Sequence, residues 1–177
     1  MSIEQVILVD EHDREVGTAE KLAAHRDGRL HRAFSVFVFN QDHELLLQQR
    51  AFEKYHSAGL LSNTCCSHPR PGEPTLQAAH RRLQEEMGFD CPLTHAFEFR
   101  YRVRLDAGLY EHEFDHVLVG RFDGAPDPDP GEVASWRWAS VPAVARELDA
   151  SPERYTYWFR LAFAQAVDVW KQLGHSA

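Results

Sequence analysis

Apolar positions along the chain recur with two different periods. Residues 4–9 (EQVILV), 33–39 (AFSVFVF) and 44–50 (ELLLQQR) are short apolar runs bounded by polar residues, which predicts strands. The polar stretch NQDH at 40–43 joins the last two as a hairpin. Residues 75–88 (TLQAAHRRLQEEMG) place Leu76, Ala79, His80, Leu83 and Met87 at i, i+3, i+4, i+7 and i+11. That spacing predicts an amphipathic helix with Thr75 near the N-cap, Gly88 at the stop, and Arg82, Glu85 and Glu86 off the core face. Strands are expected again over 96–105, 112–122 and 134–139. A long helix over 152–173 then carries Tyr155, Tyr157, Trp158, Phe159, Phe163 and Trp170. APDPDPGE at 125–132 is stiff and polar, but strand-like sequence resumes after it, so it reads as a loop. The pattern is α+β, with one domain over residues 1–177.

Composition narrows the function classes. At 177 residues and 44% hydrophobic, the chain can bury one sizeable core. The N-terminus lacks a basic n-region, and no segment approaches the ~18 apolar residues of a membrane span. Three cysteines, an odd number, without a secretion signal point to reduced thiols in the cytoplasm. A net charge of -8 with scattered Lys and Arg disfavours nucleic acid and anionic membrane as partners. An anionic small molecule remains a candidate, and it would require a locally basic pocket.

Two short stretches carry chemistry. SNTCCSHP at 62–69 sets Cys65 and Cys66 side by side, ahead of His68, in neither a zinc-knuckle nor a disulfide spacing. In YEHEF at 110–114, an extended backbone would turn Glu111 and Glu113 to one face, because strand side chains alternate with period two. Paired carboxylates repel unless a cation or a shared proton lies between them. Among eleven histidines, His25, His31 and His68 lie near such segments. Each taken singly reads as a surface or satisfied core residue.

Together AEKLAAH with His25, GRLHRAFS with His31, NTCCSHP and the EHE triplet resemble the type I isopentenyl diphosphate isomerases. Their order and spacing hold from about residue 5 to residue 165. The segment from Ser67 to Phe89 also resembles the Nudix box, matching at Glu73, Arg81, Leu83, Glu85, Glu86, Gly88 and Phe89. It departs from the box where Ser67 replaces a glycine and Arg82 a glutamate. Reversing that charge weakens a hydrolytic metal cluster and offers a guanidinium to phosphate.

The resemblance implies a Nudix-like mixed β-sheet flanked by helices. It implies interconversion of isopentenyl and dimethylallyl diphosphate through a carbocation; pyrophosphate hydrolysis is the alternative that the box raises. In this reading Cys66 and Glu113 transfer protons on opposite faces, Tyr101 supports Glu113, and Trp158 lies over the cation. Cys65 and Cys91 are then only small buried hydrophobes. His25, His31, His68, Glu111 and Glu113 would hold Mn²⁺, Mg²⁺ or Zn²⁺, while a further Mg²⁺ would arrive with the diphosphate at Glu86. Lys21, Arg50, Lys54 and Arg82 would meet the phosphates. YHSAGLL at 55–61 departs from the aromatic-Pro-Gly segment of many members.

Overall fold

The computed structural model describes residues 4–174. β3 (His31–Phe39) is the organising strand. It pairs in parallel along its whole length with β8 (Tyr110–Arg121). Its other edge is shared by β1 (Gln5–Val9) at His31, β6 (Cys65–Ser67) at its middle and β4 (Glu44–Arg50) at Phe39. β2 (Glu15–Glu20) flanks β1, β5 (Leu61–Ser62) and β9 (Val133–Ser140) flank β4, and β7 (Leu93–Arg104) flanks β8. All nine strands among the described residues belong to one mixed sheet.

Both faces of β3 are covered, which is why AFSVFVF is apolar almost throughout instead of alternating. Phe37 and Phe39 enter a core with α3 (Val141–Ala150) and α4 (Tyr157–Gly174), where Phe159, Phe163 and Val167 pack. Phe34, Val36 and Val38 enter the opposite core beneath α2 (Thr75–Met87), against Ala79, Leu83 and Met87. One mixed sheet with helices over both faces meets the expected α+β class.

Several local expectations need correction. The 40–43 turn is present, but β3 and β4 register only at Phe39 and Leu45 before β3 turns to other partners. On α2 the N-cap is Pro74, Leu76 is 46% exposed, and His80 bonds Asp90 at the rim. Glu86, expected off the core face, is 4% exposed because that side of α2 borders a cavity rather than solvent. The long terminal helix begins at Tyr157, after a single 3₁₀ turn at Pro152–Arg154. β2, α3 and α1 (Lys21–Asp27) lie outside the elements expected from the sequence.

The 125–132 loop is tied down. Backbone N–H groups of Asp127 and Asp129 donate to the carbonyls of Met87 and Glu86, capping the end of α2. Gly88 there has φ 73°, and a Cβ would lie 2.2 Å from the Asp127 carbonyl oxygen, so only glycine fits.

Candidate active site

Strand alternation separates the adjacent cysteines. On β6, Cys65 turns into the core under α2 and is wholly buried, while Cys66 turns to the opposite face and lines a cavity of about 400 Å³. Cys66 Sγ lies 3.9 Å from Arg50 Nη1. Burial pushes its thiol up to about 12, against the opposing pull of Arg50. All three cysteines are free, with Cys65 and Cys91 buried in the core.

The same alternation builds the acidic side. Glu111, Glu113 and Asp115 share one face of β8, and all three are buried. Register does the rest: Glu113 lies beside His31 of β3 and opposite Tyr101 of β7. The Tyr101 hydroxyl lies 2.5 Å from Glu111 Oε2 and 2.7 Å from Glu113 Oε2, so its one proton can go to either. Glu113 Oε1 meets His68 Nε2 at 2.9 Å and His31 Nε2 at 3.5 Å. His25 Nε2 lies 3.8 Å from Glu111 Oε1.

The histidines are oriented as metal ligands are. His25 Nδ1 and His31 Nδ1 sit 2.7 and 2.8 Å from the Lys21 and Arg29 carbonyls. A carbonyl only accepts, so each Nδ1 carries the proton and each Nε2 keeps its lone pair. Both Nε2 atoms are buried without a hydrogen-bond partner. Ligand atoms of His25, His31, His68 and Glu113 lie within 4.8 Å of one another. Burial pushes His68 down to about 4 and keeps it neutral. Burial also works against the Glu113 charge, but His31 and His68 outweigh it and hold the carboxyl well below the usual range. This buried mixed N/O donor set suits a divalent cation.

The four expected phosphate contacts line the same cavity, each beside acidic or aromatic groups. Lys21 Nζ lies 2.9 Å from Glu4, and Lys54 pairs with Glu132. Arg82 bridges Glu85 at 2.7 Å, Glu86 at 2.5 Å and Glu132 at 3.2 Å. Burial pushes the Glu86 carboxyl up, opposed by Arg82. Arg50 stacks its guanidinium 5.4 Å from the centre of the Trp158 ring. The cavity thus brings together every residue expected at the site except His25, His31 and Tyr101, which stand behind Glu111 and Glu113.

Four further residues reach the site without having been expected there. Glu132, from the proline-rich loop, bridges Lys54 and Arg82 across 78 and 50 positions of chain. Glu4 pairs with Lys21. His56 sets its Nε2 3.1 Å from Glu111 Oε1. Asn63 accepts from Trp158 Nε1 at 3.1 Å and donates to the Val36 and Cys65 carbonyls, joining α4 to the cysteine strand.

Comparison with known proteins gives the family and the fold. Residues 29–159 match the NUDIX domain. The chain is 53% identical to the isopentenyl-diphosphate Delta-isomerase of Pectobacterium atrosepticum, over 97% of this chain and 96% of that one. It is 48% identical to the isopentenyl-diphosphate Delta-isomerase of Serratia proteamaculans, over 98% and 99%. Solved structures show the fold alone. A protein from Deinococcus radiodurans superposes with TM-score 0.70 at 20% identity over 83% of this chain and 90% of that one. The MutT protein of Methanosarcina mazei Go1 gives 0.62 at 16% identity over 83% and 94%. The chain belongs to the isopentenyl-diphosphate Delta-isomerase family, on a NUDIX domain.

Proposed function

We propose that this chain interconverts isopentenyl and dimethylallyl diphosphate, with Cys66 and Glu113 as the two proton-transfer groups. The observation that carries the reading is a single cavity holding a thiol, a buried carboxylate, an aromatic face and four cationic side chains. The reaction adds a proton to an unactivated alkene and removes another one carbon away from the cationic centre, so no redox partner is needed. It requires a donor and an acceptor on different sides of the substrate, and surroundings that stabilise positive charge without offering a nucleophile. Cys66 stands on β6 and Glu113 on β8, the strands that flank β3. Trp158 turns its ring to the cavity, where an aromatic face already attracts the Arg50 guanidinium and would favour a carbocation by about 1–2 kcal/mol. Tyr101 holds both carboxylates from behind.

His25, His31, His68, Glu111 and Glu113 would hold a divalent cation, Mn²⁺, Mg²⁺ or Zn²⁺, fitted by the unpartnered His25 and His31 Nε2 atoms. When bound, the cation neutralises the carboxylate pair and fixes the orientation of Glu113. At the other end Lys21, Arg50, Lys54 and Arg82 would receive the diphosphate, with Glu86 as the carboxylate for an accompanying Mg²⁺. Pyrophosphate hydrolysis fits less well, because Arg82 engages Glu85 and Glu86, box carboxylates that a hydrolase uses for its metal. No helix among the described residues is long and apolar enough to cross a membrane.

Turnover of isopentenyl diphosphate in D₂O tests the reading. Deuterium should enter a methyl group of dimethylallyl diphosphate. Release of phosphate without isomerisation would replace it with the hydrolase.

A further inference from the structure

We infer that His95, Glu98 and His116 form a separate binding site for Zn²⁺ or a similar nitrogen-seeking transition ion, on the face of the β7 and β8 ribbon turned away from the cavity. The inference does not depend on the isomerase reading.

A break in strand alternation assembles the site. His95 and Glu98 are three apart on β7, an odd spacing that sets side chains on opposite faces of an unbroken strand. A bulge removes the mismatch: His95 registers with Leu118 and Phe97 with Val117, so Ala96 is skipped. Past the bulge, Glu98 stands directly opposite His116. Leu118 and His116 are two apart on β8, so His95, Glu98 and His116 all share one face. Phe97 and Tyr101, which register with Val117 and Glu113, point to the other.

The geometry is that of a partly closed ligand set. His95 Nε2 lies 3.2 Å from Glu98 Oε2, and one donor atom from each of the three residues lies within 4.8 Å of the others. Donors around a tetrahedral zinc with bonds of about 2.0–2.1 Å stand about 3.3–3.4 Å apart. The His95 and Glu98 side chains are about half exposed and free to turn onto an ion, while His116 is the fixed member at 16%.

His116 is held as a ligand is held. Its Nε2 lies 2.8 Å from Asp13 Oδ2, and Arg32 fixes Asp13 in turn, Nε donating to Oδ1 at 2.7 Å and Nη2 to the backbone carbonyl at 2.6 Å. A carboxylate only accepts, so His116 Nε2 carries the proton and Nδ1 keeps the lone pair. A carboxylate behind an imidazole fixes the tautomer and raises the basicity of the other nitrogen toward a metal. Burial lowers His116 below the usual imidazole range, opposed by Asp13, so the ring is neutral and ready to bind.

Two imidazoles and one carboxylate suit zinc-like ions, whereas Mg²⁺ and Ca²⁺ favour oxygen donors. Three protein donors leave a fourth position for water. An ion here would staple β7, which pairs only with β8, to its neighbour and, through Asp13, to the turn between β1 and β2.

The test is Zn²⁺ titration of the full-length chain, reading the number of ions bound by calorimetry and the imidazole ¹⁵N shifts of His95 and His116. The parent should bind one more Zn²⁺ than His95→Gln or His116→Gln, and zinc should move the His116 Nδ1 signal together with one ring nitrogen of His95. Asp13→Asn should weaken that ion by about tenfold or more. The inference is overturned if His95→Gln binds as many ions as the parent with the same affinities, or if the ring nitrogens of His95 and His116 stay unmoved while zinc binds elsewhere. Unchanged affinity in Asp13→Asn would overturn the orienting part given to Asp13. His95 is half exposed, so its replacement leaves the fold intact, and the parent's own ring shifts decide the matter even if His116→Gln fails to fold.

Discussion

The two ends of the cavity are built from opposite logic. At the imidazole end, three buried ring nitrogens (His25 Nε2, His31 Nε2 and His68 Nδ1) have no hydrogen-bond partner, and backbone carbonyls fix the tautomers of His25 and His31. Bonding capacity is held open there, so an arriving cation meets donors already aimed. At the arginine and lysine end, Lys21, Lys54 and Arg82 are already paired with Glu4, Glu132, Glu85 and Glu86. In the proposed reading phosphate oxygens would compete with those carboxylates for the cations, leaving Glu86 to hold a second metal. One end is a preformed site. The other would exchange partners on binding the diphosphate.

The largest effect should come from emptying the preformed end. Prolonged chelation should abolish isomerisation, with recovery only on adding a divalent ion, because Glu113 loses both its neutralising charge and its orientation. Full turnover by metal-free protein would break the comparison. Next come the proton-transfer groups. Cys66→Ala and Glu113→Gln should each lower kcat by about 10²–10⁴, and the double variant should be little worse than either, since the pair acts as one unit. Near-normal turnover by Cys66→Ala would end the two-group mechanism.

The exchanging end should respond more mildly and in a different constant. Arg82→Ala should raise KM by about tenfold or more with kcat less changed, as expected for a charge-assisted contact worth about 1.5–3 kcal/mol. Unchanged steady-state constants would reduce Arg82 to a counter-ion for Glu86. Between the two ends, Asn63→Ala should destabilise the fold by about 1–3 kcal/mol, read as a lower denaturation midpoint, since it leaves Trp158 Nε1 without its acceptor. The smallest effect is expected of Cys65→Ala. A small apolar replacement on the core face of β6 should change turnover at most a few-fold, and a dead Cys65 variant with an active Cys66→Ala would invert the assignment.

How legible each part was depends on how local its cause is. AFSVFVF announced β3 because a strand covered on both faces must be apolar throughout, and TLQAAHRRLQEEMG announced α2 through its helical spacing. EVGTAE did not announce β2, whose side chains are exposed or only half-buried and so keep no apolar face. KLAAHRD is too short for a helical period, and α1 relies instead on Glu20, whose side chain accepts from the Leu22 and Ala23 N–H groups. α3 follows β9 without a loop, and only Ser140 at the N-cap and Pro142 in the first turn mark its start.

For the site, period two on a strand was enough to put Glu111 and Glu113 on one face, and the motif order supplied His25, His31, His68 and Cys66. Register decided the remainder. It set Tyr101 opposite Glu113, brought Glu132 to Lys54 across 78 positions, and joined Asn63 to Trp158 across 95. Sequence by itself determined the kinds of chemistry present and the faces of the elements that carry them, because periodicity and side-chain type are local properties. Only the tertiary structure decided which groups meet, which charges are neutralised and which nitrogens remain open, because pairing and burial are set where distant strands come together.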